Sequence, residues 1–136
     1  MAAAKKRILV VDDDMGMIRL LEKWLLVAGR DILWATKGKD ALRKAVEEKP
    51  DLILMDLMLP DIGGQEVARG LKADRATRDI PIIFMTVVIG VENDKGNEEL
   101  EIDGVKYRAF AKPLHNRKLL SEIRKAINRR EHGGTS

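Results

Sequence analysis

The chain has 136 residues, of which 45% are apolar and 35% charged, with no cysteine and a net charge of +3. That length fits one domain with a real core, and the missing cysteines exclude a disulfide framework and any thiolate metal site. The opening Met-Ala-Ala-Ala-Lys-Lys-Arg is followed by only four apolar residues, Ile8 to Val11. This predicts neither a signal peptide nor a membrane span, and a cytoplasmic protein.

In chain order, Ile8-Leu-Val-Val11 is a short β-branched strand that stops at Asp12-Asp13-Asp14. A helix follows over about Met15 to Ala28, ended by Gly29. Its stripe Ile18, Leu21, Leu25 and Ala28 suffices to face a sheet. A second stripe, Met17, Leu20 and Trp24, is either further core or a docking patch. Ile32-Leu-Trp-Ala35 is the next strand, and a helix over about Lys39 to Glu48 carries Ala41, Leu42, Ala45 and Val46 on one face. Leu52-Ile-Leu-Met55 is a continuous apolar run, the mark of a strand covered on both faces. It ends at a single carboxylate, Asp56, and breaks at Pro60 and Gly63-Gly64. A third helix, Gln65 to about Ala73, turns Val67, Ala68 and Leu71 inward. Pro81-Ile-Ile-Phe-Met-Thr86 is a fourth buried strand, with proline where a strand tolerates it.

Alternating strand and helix predicts a parallel sheet covered on both faces. The alternation then fails. Val87 to Asn97 contains Gly90 and Gly96 and few spaced apolar residues, so a fourth helix is shortened or replaced. Leu100 to Phe110 alternates around Asp103-Gly104, a hairpin signal. The prediction is a loop and a β-hairpin whose second strand continues as the fifth sheet strand to Ala111. A short irregular helix near Asn97 to Leu100 is the competing reading. Asn116 can cap a last helix, about Arg117 to Arg130, with Leu119, Leu120, Ile123 and Ile127 inward. One domain over residues 5–130 and a disordered tail over 131–136 are expected. From Val105 to Ser136 nine Lys/Arg stand against two Glu. Without aromatic interleaving or a binding motif this reads as a solvated basic helix face rather than a nucleic-acid surface.

In a parallel sheet the strand ends bring Asp12 and Asp13, Asp56, Thr86 and Lys112 to one edge, where ligands of such sheets bind. Three clustered carboxylates in a partly dry site call for a cation. A hard divalent ion such as Mg²⁺ suits one or two carboxylates with waters and phosphate oxygens. Lys112 adds a point charge for a phosphoryl group, and a carboxylate can itself attack phosphorus. Asp14 and Asp61 read as turn or cap residues, and His115 and His132 as solvent-facing.

Four stretches together resemble the receiver domain of two-component response regulators. They are Ile8-Leu-Val-Val-Asp12-Asp13-Asp14, Asp51-Leu-Ile-Leu-Met-Asp56-Leu-Met-Leu-Pro60-Asp61, Pro81-Ile-Ile-Phe-Met-Thr86 and Phe110-Ala-Lys112-Pro113. The resemblance runs from Lys6 to about Arg129. It implies a flavodoxin-like, doubly wound, five-stranded parallel sheet of order 2-1-3-4-5. It also implies that Asp56 accepts a phosphoryl group from the phosphohistidine of a histidine kinase or phosphotransferase in a phosphorelay. Mg²⁺ is then held by Asp12, Asp13, Asp56 and the backbone carbonyl of Met58, and Thr86 and Lys112 sense the phosphoryl group. A cis peptide at Lys112-Pro113 is a further implication. Such a domain is no enzyme beyond its own phosphorylation and dephosphorylation.

The chain departs from that family in several places. Val87 follows Thr86 where a small residue is usual. Ala109 stands where an aromatic switch is usual, with Tyr107 and Phe110 nearby. The Thr86–Lys112 interval is long, and no DNA-binding or enzymatic domain follows Arg130, so a stand-alone receiver signalling through a remodelled face is expected. Apolar Met58 and Val88 at the pocket mouth cannot orient water, which predicts slow self-dephosphorylation. Two other readings remain: a degenerate receiver that only binds protein, and a haloacid dehalogenase-like phosphohydrolase using Asp12 as nucleophile.

Overall fold

The computed structural model describes residues 5–87 and 98–133. Its elements are β1 (Arg7–Val11), α1 (Met15–Val27), β2 (Asp31–Ala35), α2 (Gly38–Glu48), β3 (Leu52–Asp56), α3 (Gly64–Ala73), β4 (Ile82–Thr86), β5 (Glu98–Ile102), β6 (Val105–Ala111) and α4 (Asn116–Gly133). They form one six-stranded sheet in the order β2-β1-β3-β4-β6-β5. The first five places reproduce the expected 2-1-3-4-5 order, with β6 in the fifth place, and the fold is flavodoxin-like. The expected count of five strands is corrected to six, because the hairpin's first strand also joins the sheet. β5 pairs antiparallel with β6 at the edge, whereas all other neighbours are parallel.

Neighbouring residues of a strand point to opposite faces, and the sheet accordingly has two cores. On one face Leu9, Val11, Ile53, Met55 and Phe84 pack with Ala41 and Ala45 of α2 and Val67 and Leu71 of α3. On the other, Ile8, Val10, Leu54, Met85 and Phe110 pack with Ile18, Leu21 and Leu25 of α1 and Leu119 and Ile123 of α4. β3 and β4 are buried along their whole length, which is why both read as unbroken apolar runs. Met17 and Trp24 are half-buried against the α1 core, while Leu20 is exposed. Two inward assignments do not hold: Ala28 lies at the exposed C-cap of α1, and Val46 is exposed on α2.

The hairpin forms where Asp103-Gly104 predicts it. Ile102 faces Val105 across a two-residue loop in which both Asp103 and Gly104 have positive φ, 51° and 83°. That backbone matches the right-handed twist of its strands. Leu100 and Ile102 join the core on the α3 side, where Tyr107 meets Phe84 edge-on with ring centroids 5.3 Å apart. The irregular helix considered near Asn97 to Leu100 gives way to β5 over Glu98–Ile102. Whatever replaces a fourth helix between residues 88 and 97, including Val88, lies outside the described residues.

The last helix is longer than expected. It continues through Glu131 to Gly133, so three residues assigned to the disordered tail are helical. Residues 134–136 lie outside the described residues. Among the described residues, no helix is long and apolar enough to cross a membrane.

Candidate functional site

The parallel register aligns four strand ends at one edge. Val11 lies beside Met55, Asp56 beside Met85, and Thr86 beside Ala111. Asp12 therefore emerges just past β1, Asp56 closes β3, Thr86 closes β4 and Lys112 follows β6. Asp12, Asp56 and Thr86 are buried, while Asp13 is exposed.

Lys112 ties the site together. Its Nζ donates to Asp12 Oδ2 at 2.6 Å and to Asp56 Oδ2 at 3.0 Å. The other oxygen of each acid accepts a backbone N–H two residues on: Asp14 N to Asp12 Oδ1 at 2.9 Å and Met58 N to Asp56 Oδ1 at 3.0 Å. These bonds fix both carboxylates before any ligand arrives. The Lys112 backbone N donates to Thr86 O at 2.8 Å, which couples the ends of β4 and β6. Burial alone pulls the Lys112 ammonium down, but its bonds to Asp12 and Asp56 outweigh it and raise the pKa above the usual lysine value. Lys112 is therefore a fixed positive charge.

Asp12, Asp13 and Asp56 each offer an oxygen within 4.8 Å of the others. Three carboxylates against one ammonium leave the cluster two charges short of neutrality, and all its donors are hard oxygens. A divalent cation such as Mg²⁺ fits that charge and that chemistry.

The structure thus brings together Asp12, Asp13, Asp56 and Lys112, with Thr86 buried on the adjacent strand end. Met58 contributes its N–H to Asp56, and its side chain is 60% exposed. Val87 is also exposed. The two acids read as caps are caps. Asp14 accepts from Gly16 N at 2.8 Å at the start of α1. Asp61 accepts from Gly38 N and Lys39 N at 2.7 and 2.9 Å, and so caps α2 from a different loop. Lys112-Pro113 is cis, and His115 is exposed. At the expected aromatic position, Ala109 is buried in the α3-side core.

In the sequence Gly64 stands only as part of the break between the Asp56 strand and the third helix. A Cβ there would lie 2.4 Å from the Asp56 backbone oxygen, so α3 begins in close contact with the Asp56 peptide. A Gly-Gly pair closely following a strand-ending carboxylate is the signal for such an approach.

Comparison with known proteins gives the chain's family. Residues 8–124 match the family model of the response regulator receiver domain. The phosphate regulon transcriptional regulatory protein PhoB of Pseudomonas aeruginosa is 40% identical over 134 residues, which cover 96% of this chain and 55% of that protein. The alkaline phosphatase synthesis regulator PhoP of Bacillus subtilis is 34% identical, covering 93% and 50%. The chain spans about half the length of these curated relatives. Among solved structures, a CheY-like receiver from Methanospirillum hungatei is 27% identical with a TM-score of 0.77, covering 94% and 98%. The receiver of a sensor histidine kinase from Pseudomonas aeruginosa, with a magnesium ion in its active-site cleft, is also 27% identical. Its TM-score is 0.78, with coverage of 92% and 99%. The chain belongs to the response regulator receiver domain family, the signalling domains of two-component systems.

Proposed function

We infer that this receiver accepts a phosphoryl group on Asp56 from the phosphohistidine of a histidine kinase or phosphotransferase. The observation that carries the reading is the bridge of Lys112 between the buried Asp12 and Asp56 carboxylates, beside the third acid Asp13. An Asp56 oxygen attacks phosphorus as the P–N bond to the donor imidazole breaks, and the imidazole nitrogen takes a proton. Asp12, Asp13, Asp56 and the Met58 carbonyl would hold Mg²⁺, which supplies charge neutralisation for the phosphoryl oxygens. Lys112 exchanges its bond with Asp56 for one with a phosphoryl oxygen, and the Thr86 hydroxyl takes another. Lys112 and Thr86 lie at the ends of β6 and β4, so this exchange pulls on the strands that carry the hairpin. The output is a change in partner binding on that remodelled face, in the cytoplasm where the phosphohistidine donor forms. With apolar Met58 at the rim, the aspartyl-phosphate decays slowly.

Intact mass after incubation with acetyl phosphate and Mg²⁺ tests this reading. The wild type gains one phosphoryl group, and Asp56→Asn and chelated samples gain none. A wild type that gains no mass is a protein-binding module with a silent pocket. Turnover of a phosphate ester that needs Asp12 but not Asp56 would instead indicate a phosphohydrolase.

A further inference from the structure

At the amino ends of β4 and β6, on the far side of the sheet from the carboxylates, two recesses adjoin. The larger, about 1000 Å³, has an apolar floor of Pro81, Ile82, Ile83, Val105 and Ala126. The smaller, about 450 Å³, adds the charged Glu99 and Lys125. Lys106, Tyr107, Arg108, Glu122 and Arg129 line both, so an apolar chamber opens directly onto a cationic one.

The charges where they join do not balance. Glu122 is buried and lies between two guanidiniums, 3.6 Å from Arg108 Nη2 and 3.2 Å from Arg129 Nη2. Glu122, and Glu99 opposite Arg108 across the hairpin, are two carboxylates against Arg108, Arg129 and the exposed Lys106 and Lys125, so a surplus of two positive charges remains. Arg108 Nε is buried without a hydrogen-bond partner among the described residues. Other cations nearby are committed: Arg130 reaches the Pro50 and Asp51 carbonyls, and Lys72 donates to the Arg78 carbonyl at 2.9 Å. An arginine pair of this kind suits the planar, multidentate recognition of phosphate. The apolar chamber is of the size that holds small organic molecules.

We propose that the joined recesses bind a nucleoside phosphate, with its heterocycle on the apolar floor and its phosphate on Lys106, Arg108 and Arg129. The site shares no residue with the carboxylate cluster, so nucleotide binds without any change at Asp56.

The test is titration of the full chain with AMP and ADP in the absence of Mg²⁺, followed by calorimetry and backbone amide chemical shifts, with inorganic phosphate in parallel. Shifts are expected at Lys106 to Arg108 and Ala126 to Arg130. Arg108→Gln and Arg129→Gln weaken binding tenfold or more, and Asp56→Asn leaves it unchanged. Circular dichroism melts establish that each variant folds. Should Arg108→Gln fail to fold, the exposed Lys106→Gln is expected to weaken binding severalfold. Absence of any shift at millimolar nucleotide overturns the proposal, as do shifts confined to Asp12, Asp56 and Lys112. Phosphate binding as tightly as AMP overturns the role of the apolar floor. Tighter binding of a DNA duplex at the same residues overturns the nucleotide assignment in favour of a polyanion surface.

Discussion

Lys112 Nζ lies 2.6 Å from Asp12 Oδ2, and the two residues are 100 positions apart in the chain. Asp12 is wholly buried and the Lys112 side chain is 11% exposed. Removing the cation with Lys112→Met would strand two buried carboxylates, each still held by a backbone N–H. Breaking a buried pair in this way costs about 3–5 kcal/mol. A large fall in urea midpoint is therefore expected in chelator. Mg²⁺ should restore part of it, because a divalent ion supplies the lost positive charge.

Asp13 should behave in the opposite way. It is exposed, yet its carboxylate can approach Asp12 and Asp56 within 4.8 Å, and one ammonium serves all three. Asp13→Asn removes one like charge and is expected to raise the melting temperature in chelator. In the proposed Mg²⁺ site the same change removes a donor. Wild type gains about 2.7 kcal/mol at a Mg²⁺ concentration 100 times the dissociation constant, and the variant should gain much less at that concentration. Melting curves with EDTA and with Mg²⁺ give both signs; a variant that is less stable than wild type in EDTA contradicts the charge argument.

Much of this arrangement was legible in the sequence because it depends on strand ends. A buried parallel strand needs an unbroken apolar run, so the residue that ends the run is marked. Asp12, Asp56 and Thr86 are marked in this way, whereas Lys112 follows an alternating strand and is marked by its place before Pro113. Capping acids were legible for a related reason: Asp14 and Asp61 sit in loops beside better-placed acids. The target of Asp61 was not legible, since it bonds α2 across 22 and 23 residues of chain. Nor was the sixth strand. A hairpin signal fixes the local turn but does not say whether β5 adds to the sheet or folds away from it. Packing of Leu100 and Ile102 against the α3-side core decides that. Val46 misled because α2 buries Gly38, Ala41 and Ala45 and packs Leu42 against the core, a stripe that leaves Val46 on the exposed side.

Gly64 and Gly63 make a paired test of the close approach at Asp56. A Cβ at Gly64 would lie 2.4 Å from the Asp56 carbonyl oxygen, but at Gly63 its nearest neighbour is 3.8 Å away. The first contact forces backbone to move and the second is ordinary packing. Gly64→Ala is expected to cost about 1–3 kcal/mol, as overpacking does, and to slow phosphorylation by acetyl phosphate because the Asp56 peptide shifts. Gly63→Ala should leave phosphorylation unchanged and alter stability little. Equal rates for both variants would mean that α3 absorbs the clash without moving Asp56.

Asp61 gives the chain an acid-sensitive joint. Backbone N–H bonds from Lys39 and Gly38 are the main forces holding its pKa down, to about 2 from 3.8, against a smaller opposing effect of desolvation. The folded value lies below the unfolded one, so the unfolded state binds the proton first. The stabilisation is therefore complete above about pH 4 and is lost as pH falls toward 2. Asp61→Ala is expected to lower stability at neutral pH and to flatten the acid limb of the stability curve in that window. Parallel acid limbs for wild type and variant would show that α2 does not depend on this cap.

Tyr107 sets the corresponding alkaline limb at the hairpin. Burial, and then the nearby Asp103 charge, raise its phenol above the ordinary value of 10. Here the folded state keeps the proton longer than the unfolded state does. The contribution is complete below pH 10 and is lost as pH rises through that value toward the folded pKa. Tyr107→Phe keeps the edge-on contact with Phe84 while removing the titrating group, so it should cost little at neutral pH and decline less steeply above pH 10. Tyr107→Ala empties a site in the α3-side core and is expected to cost about 3–5 kcal/mol at neutral pH, the usual range for a buried aromatic. Urea titrations of the three proteins at pH 7 and above pH 10 separate the two effects. If the phenylalanine variant declined as steeply as wild type, the alkaline loss would lie elsewhere in the fold.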